Sequence, residues 1–370
     1  MDERSPMTDA SGLIRRRRLL SRPGFWALAA LPLLLCAGWS AFWFYASGRV
    51  GSGLDDWMAR ETAAGRTWAC PERTISGFPM RFELSCRAPS LTMQTAEGVT
   101  TVSLAAMTAT AQIYQPNQMD MEIKTPLIIK RPGAGQTVLD ASAMRASLRA
   151  NIADYPRIFD RLALTADEPV LSVGQPGAAG AGARAAHAEV HLRAVAGRPA
   201  ADGAFDITAK LSDAVIPDLD AYLQSTDPAS LEVTGRILKL DLPGKGSGPA
   251  RLEAWRAAGG TLEITQAALT KGAVRISAAG LLALDGEHRL DGRLDTSVAG
   301  AEALLKRFGI PVGSLDIGNA LGNLLGGRKP KTPEGEGQGK ERTIRLPLSF
   351  GNGRVSVGPV ATPVRLAPLY

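Results

Sequence analysis

The sequence predicts a mainly β protein, built from antiparallel curled sheets that form a groove or a sandwich. A few short helices accompany them, and one N-terminal transmembrane helix precedes them. Three observations predict this. Many stretches alternate apolar and charged residues with period two, the pattern of strands with one wet face. Gly (40) and Pro (24) are plentiful in 370 residues while aromatic residues make up only 5%, a balance that favours turns and strands over helical bundles. Residues 25–46 carry no charge at all.

In chain order, residues 1–24 form a basic tail. Arg15, Arg16, Arg17, Arg18 and Arg22 stand before the apolar run, and the positive-inside rule holds such a cluster in the cytoplasm. Residues 25–46 read FWALAALPLLLCAGWSAFWFYA. At about 1.5 Å per residue they span about 33 Å, enough for a hydrocarbon core of about 30 Å. Trp26 lies at one end and Trp39, Trp43 and Tyr45 toward the other, as in the aromatic belts at bilayer interfaces. Pro32 is tolerated in a membrane helix.

A cleaved signal peptide is the rival reading, because Ala46, Ser47 and Gly48 fit a small-residue cleavage site. Against it stand the length of the apolar run and the bulk of Phe42, Trp43, Phe44 and Tyr45. Both readings export the rest of the chain. The expected location is a bacterial inner membrane, crossed once, with the C-terminal domain in the periplasm.

Residues 47–69 read as a helical linker. Residues 55–64 make a short helix continuing outward, with Asp55 and Asp56 in its first turn and Gly65 as its stop. Residues 70–175 read as a first β unit. There Met80, Phe82, Leu84 and Cys86 alternate with Arg81, Glu83, Ser85 and Arg87. Residues 176–182 (PGAAGAG) read as a flexible joint, and 183–370 as a second β unit. In that unit Phe205, Ile207, Ala209 and Leu211 oppose Asp206, Thr208, Lys210 and Ser212. Asn352-Gly353 marks a hairpin turn. Short helices are expected at 217–224, 251–258, 299–308 and 315–325. Residues 326–340 (GGRKPKTPEGEGQGK) lack large apolar side chains and read as a disordered loop.

The net charge of +6 invites a nucleic-acid reading. Six arginines precede the end of the apolar run, however, and the remainder is close to neutral without a basic stripe interleaved with aromatics. No nucleic-acid partner is expected. Of the three cysteines, Cys36 sits in the apolar span. Cys70 and Cys86 form an isolated pair in the exported part, which reads as a disulfide worth about 3 kcal/mol. Two unpaired thiols or a redox or metal pair are the alternatives. The spacing is far from Cys-x-x-Cys and no histidine lies nearby.

A search for chemistry returns no catalytic residue, no cofactor site and no metal site. His187 and His191 fall on the wet face of an alternating HAEVHLR stretch, with Glu189 between them. Asp218 and Asp220 stand near a helix start, where carboxylates serve the helix end. Asp291 and Asp295 alternate with Arg289 and Arg293, a strand face of ion pairs. No nucleophile elbow and no phosphate-binding glycine loop occurs.

Several segments together resemble a known family. After the span comes CPERTISGFPMRFELSC, then RLEAWRAAGGTLEIT and GLLALDGEHRLDGRLD, and at the end LPLSFGNGRVSVGPVATPVRLAPLY. These resemble an uncharacterised alphaproteobacterial family of membrane-anchored envelope proteins, domain of unknown function 2125. The segment from Cys70 through Gly77, Phe78 and Pro79 to Cys86 is the most specific, followed by Trp255, Gly259 and Gly260. The resemblance implies location and no activity. The Leu-Asp-Gly and Gly-Arg-Leu-Asp strand style is also similar to AsmA-like proteins, which are associated with lipid traffic.

The expectation is therefore a non-enzymatic, membrane-anchored envelope protein. Its one-sided strands either close over their own core or leave an apolar groove that could hold lipid acyl chains. Lipid or other envelope proteins are the candidate partners beside the membrane. A tethered interaction scaffold and an envelope hydrolase are the alternatives.

Overall fold

A computed structural model of the chain describes residues 23–370, apart from 96–97, 134, 152–158, 175–181, 199–201, 224, 242–247, 301–342 and 359. The first element is helix α1 (Pro23–Ala63), continuous over 41 residues, or about 60 Å. The expected membrane span and the expected short helix at 55–64 are thus one helix. Asp55 and Asp56 lie in its interior rather than in a first turn. Gly48, Gly51 and Gly53 do not break it. Gly51 stands where a strand approaches: a Cβ there would lie 3.5 Å from Ile75 Cδ1.

Beyond α1, antiparallel strands dominate, as the period-two patterns predict. A smaller sheet has the order β1 (Arg66–Ala69), β4 (Ser90–Thr95), β5 (Gly98–Ser103), β8 (Leu127–Arg131), β9 (Gly135–Asp140), β12 (Val170–Gly174) and β13 (Ala183–Arg184). A larger sheet begins with β2 (Glu72–Ser76), β3 (Arg81–Arg87), β6 (Ala106–Gln112), β7 (Gln115–Lys124), β10 (Ala143–Ala150) and β11 (Phe159–Asp167). It continues through β14 (His187–Ala194), β15 (Phe205–Ala214), β16 (Ala229–Leu238), β17 (Thr261–Lys271), β18 (Val274–Leu284) and β19 (Leu290–Ala299). It ends with β21 (Leu348–Gly351), β22 (Arg354–Val357) and β23 (Val360–Arg365), while β20 (Ile344–Arg345) also pairs with β19.

Up to β14 the chain changes sheet every two strands. It does so at two-residue corners: Ala88-Pro89, Leu104-Ala105, Thr125-Pro126, Ala141-Ser142, Glu168-Pro169 and Ala185-Ala186. Neighbouring corners are hydrogen bonded to each other. Ala88 N donates to Ala105 O at 2.9 Å, Ser142 N to Asp167 O at 3.0 Å, and Glu168 N to Ala186 O at 2.9 Å. The two sheets are therefore wings of one surface bent along a crease. Pro89, Pro126 and Pro169 each sit at a corner, where the ladder is interrupted and a missing N–H costs little. APSLTM, TPLIIK and EPVLSV are three copies of one corner-and-strand unit.

The stretch 176–182 does not divide the sheet into two units. Across it β11 pairs with β14 from Arg161↔Arg193 to Asp167↔His187, in the middle of the larger sheet. The helix expected at 217–224 is α2 (Pro217–Leu223), and that at 251–258 is α3 (Gly248–Ala257). The expected helices at 299–308 and 315–325, the loop 326–340, the tail 1–22 and the joint at 176–181 lie outside the described residues, except that Ala299 ends β19.

The smaller wing stops at β13 for a local reason. After β15, Val215 bridges Arg184 as if to begin another strand there, but Pro217 opens α2 instead. Proline is well placed at a helix start. Asp220 does more than serve the helix end: its carboxylate takes the Lys271 Nζ at 2.5 Å, with both side chains buried. That pair fastens α2 to the end of β17.

Candidate functional site

The concave side of the crease is apolar in strict register. One row runs across β3 to β19 through Cys86, Met107, Ile123, Met144, Ala166, Ala188, Leu211, Leu231, Leu269, Ile276 and Val298. At about 4.8 Å per strand this row is about 48 Å long. A second row, two residues further from the crease, passes through Leu84, Ala109, Met121, Ala146, Leu164, Val190 and Ala209. On the smaller wing Leu127, Leu139, Leu171 and Ala183 face the same side. Alternation delivers this face, because most strands turn their charged residues the other way. Lys271, at the end of β17, lies on the inner side and is buried against Asp220.

The surface is incompletely filled. Its buried members include Ala109, Ala146 and Ala166, whose small side chains leave room. Leu164 and Val190, in the middle of the larger sheet, remain 37% and 38% exposed. A cavity of about 300 Å³ lies where the smaller wing runs out, lined by Leu139, Met144, Leu164, Ala166, Val190 and Leu211 among others. Such a concave apolar surface binds apolar ligands by removing them from water, at about 25 cal/mol per Å².

The opposite face is polar. His187 Nδ1 lies 2.7 Å from Asp167 Oδ1, and His191 Nε2 lies 3.3 Å from Glu189 Oε2. The hydrogen bond from His191, then that from His187, holds the Glu189 carboxyl below its ordinary value. Both histidines thus lie beside carboxylates on the wet strand face expected for them. Among the described residues no group of three His, Cys, Asp or Glu is placed to hold a metal ion. Asp295 approaches Arg293 at 3.6 Å, while Arg289 binds Asp285 and Glu287 instead of the expected Asp291.

The helix closes one end of the trough. Trp43, only 4% exposed, packs among Phe44, Phe78 and Phe82, and its Nε1 donates to Arg81 O at 3.1 Å. Trp39 Nε1 donates to Pro79 O at 3.0 Å. Further along, Asp55 pairs with Arg73 at 2.5 Å and Glu61 with Arg66 at 2.6 Å. The arginine hydrogen bonds hold both carboxyls below their ordinary values. A disulfide joins Cys70 to Cys86, as expected, and ties β3 to the corner before β2. Gly77, at φ +102°, makes the turn that presents Phe78 and Pro79 to the helix. The Trp255 indole lies over Gly260, where a Cβ would overlap it, and donates to Leu238 O at 2.8 Å. The two most specific segments of the family resemblance are thus packing devices.

The inner positions on β10 and β11 were not legible in the sequence. Their apolar residues are largely alanines, with little contrast against the polar face. The available signal was the alternation of Met144, Ala146 and Leu148 with Arg145, Ser147 and Arg149.

Comparison with known proteins returns one family. Its description is an uncharacterised protein conserved in bacteria (DUF2125), and its profile matches residues 43–365. No curated protein and no solved structure matches the chain. The apolar N-terminal helix, an anchor or a signal, and the disulfide together point to an envelope or extracytoplasmic location.

Proposed function

The chain belongs to this family of uncharacterised bacterial proteins, and we propose that it is an inner-membrane-anchored periplasmic protein whose creased sheet holds lipid acyl chains. The observation that carries the reading is the registered apolar inner face, about 48 Å long, left half-open at Leu164 and Val190. The protein acts as a carrier or conduit rather than as an enzyme.

Retention of the helix as an anchor has its own support. Cleavage beside Ala46 would remove Trp39 and Trp43, the latter buried against the sheet. The family match also begins at residue 43, inside the apolar stretch. A single-pass orientation with the arginine tail inside puts the sheet and its disulfide in the periplasm.

The test is native mass spectrometry of the full chain after gentle extraction. The expected result is copurified phospholipid. Val190→Glu should lower bound lipid by about tenfold or more, because a carboxylate among acyl chains costs about 2 kcal/mol or more. Its thermal midpoint should barely move, since Val190 is 38% exposed. A folded protein that carries no lipid overturns the reading.

A further inference from the structure

The rim of the larger sheet that lies farthest from the crease differs from the opposite end of the molecule. Among the described contacts, α1 first meets the sheet at Trp39, whose partner is Pro79 in the β2–β3 turn. Residues 25–38 precede that contact, only about 21 Å of helix. A hydrocarbon core of about 30 Å needs more, so the crossing segment must run on past Trp39 and Trp43. Trp39 lies about 10 Å of helix before Ala46, the end of the apolar run. The turn bonded to Trp39 is carried in with it.

The rim residues suit that position. Phe78 and Met80 are 50% and 57% exposed, and Tyr114 in the adjoining β6–β7 turn is 70% exposed. Phe78 stacks on Phe44 with ring centres 6.0 Å apart, and Ile113 N donates to Met80 O at 3.0 Å, which ties the two turns to the helix. On the outer face, Arg149, Arg161 and Arg193 stand directly opposite one another on β10, β11 and β14. All three are exposed, with no carboxylate within ion-pair distance among the described residues. Arg193 also stands opposite Asp206 on β15, which Arg236 holds at 2.8 Å. Like charges in register destabilise a sheet, and an anion over them offsets this.

We propose that this rim is a membrane-docking edge on the non-cytoplasmic leaflet. Phe78, Met80 and Tyr114 enter the headgroup–acyl boundary, and the three arginines take anionic lipid phosphates. The proposal rests on the anchored reading and deepens it. The innermost apolar row at this rim, Phe82, Ala111, Met119, Leu148 and Leu162, then meets the leaflet directly. That row carries no charged side chain, which leaves an apolar path from bilayer to trough.

The test uses the full chain with Cys36→Ser, reconstituted into vesicles of phosphatidylethanolamine and phosphatidylglycerol. An environment-sensitive fluorophore is placed through Tyr114→Cys or, as control, through Val99→Cys. Val99 pairs with Gln94, whose N donates to Gly65 O just beyond the far end of α1. Lipids brominated near the glycerol should quench position 114 about threefold or more over position 99, as a side chain some 5–10 Å into the boundary requires. Replacing phosphatidylglycerol with phosphatidylcholine should weaken that quenching, and the triple variant Arg149→Gln, Arg161→Gln, Arg193→Gln should no longer respond to the exchange. Equal quenching at 114 and 99 overturns the docking edge. An unchanged response in the triple variant overturns the role of the arginines. Quenching at 114 in a protein that copurifies no lipid supports docking and instead removes the acyl-chain trough.

Discussion

Lys271 is the residue most committed by its surroundings. Its ammonium is buried and meets Asp220 at 2.5 Å and the Asp227 carbonyl at 2.5 Å. Breaking a buried pair strands a charge, so Lys271→Met should cost about 3–5 kcal/mol in urea unfolding. The double variant Lys271→Met, Asp220→Leu should recover most of it; an equal loss in both would mean the pair itself stabilises the fold. The sequence pattern assigns Asp220 to its helix end, because a partner 51 positions away leaves no local trace. Glu253 is a second commitment. Arg256, then the Tyr370 hydroxyl, lowers its pKa from 4.5 to about 2. Tyr370 in turn stacks on His288 with ring centres 4.4 Å apart. A carboxyl whose folded value is depressed stabilises the fold above its ordinary value, and that contribution is lost as pH falls through the folded value. The cluster should therefore persist from pH 7 to about 4.5 and open toward pH 2, followed by the ring chemical shifts of Tyr370. Opening already at pH 6 would contradict it.

At the scale of elements, α1 is held by side chains that hydropathy reads only as lipid-facing. Trp43→Ala removes a side chain sandwiched by Phe44, Phe78 and Phe82. It should destabilise the domain by about 3–5 kcal/mol and increase hydrogen exchange along β2. A variant with unchanged exchange at β2 would mean that the helix is a passive tether. Strands and hairpins were legible because alternation is local: β3, β15 and the Asn352-Gly353 turn follow the expected pattern. The crease was not. At most corners the inward alternation slips by one residue, from Cys86 to Leu91, from Leu139 to Met144 and from Ala166 to Leu171, so no period-two pattern runs across a corner. Ala88 and Glu168, both at φ +49°, absorb two of those slips. The continuity of α1 was likewise hidden, since the uncharged span and the charged stretch at 55–64 differ in composition although one helix carries both.

At the scale of the molecule, the sheet has more apolar inner face than its own side chains cover. Pairing across 176–182 joins the strands before and after it into one surface, and the smaller wing ends where Pro217 turns the chain into α2. Which strands pair, and therefore where the concavity lies, depends on contacts too distant in sequence to be read from periodicity. The family match supplies relationship without activity, so the proposed function rests on this surface. The most direct test is photocrosslinking in intact cells with a photoreactive benzoyl-phenylalanine in place of Leu164 on the inner face or of His191 on the outer face. The account predicts phospholipid adducts from position 164 and few or none from 191. Equal labelling from both faces, or protein adducts alone from position 164, would contradict it.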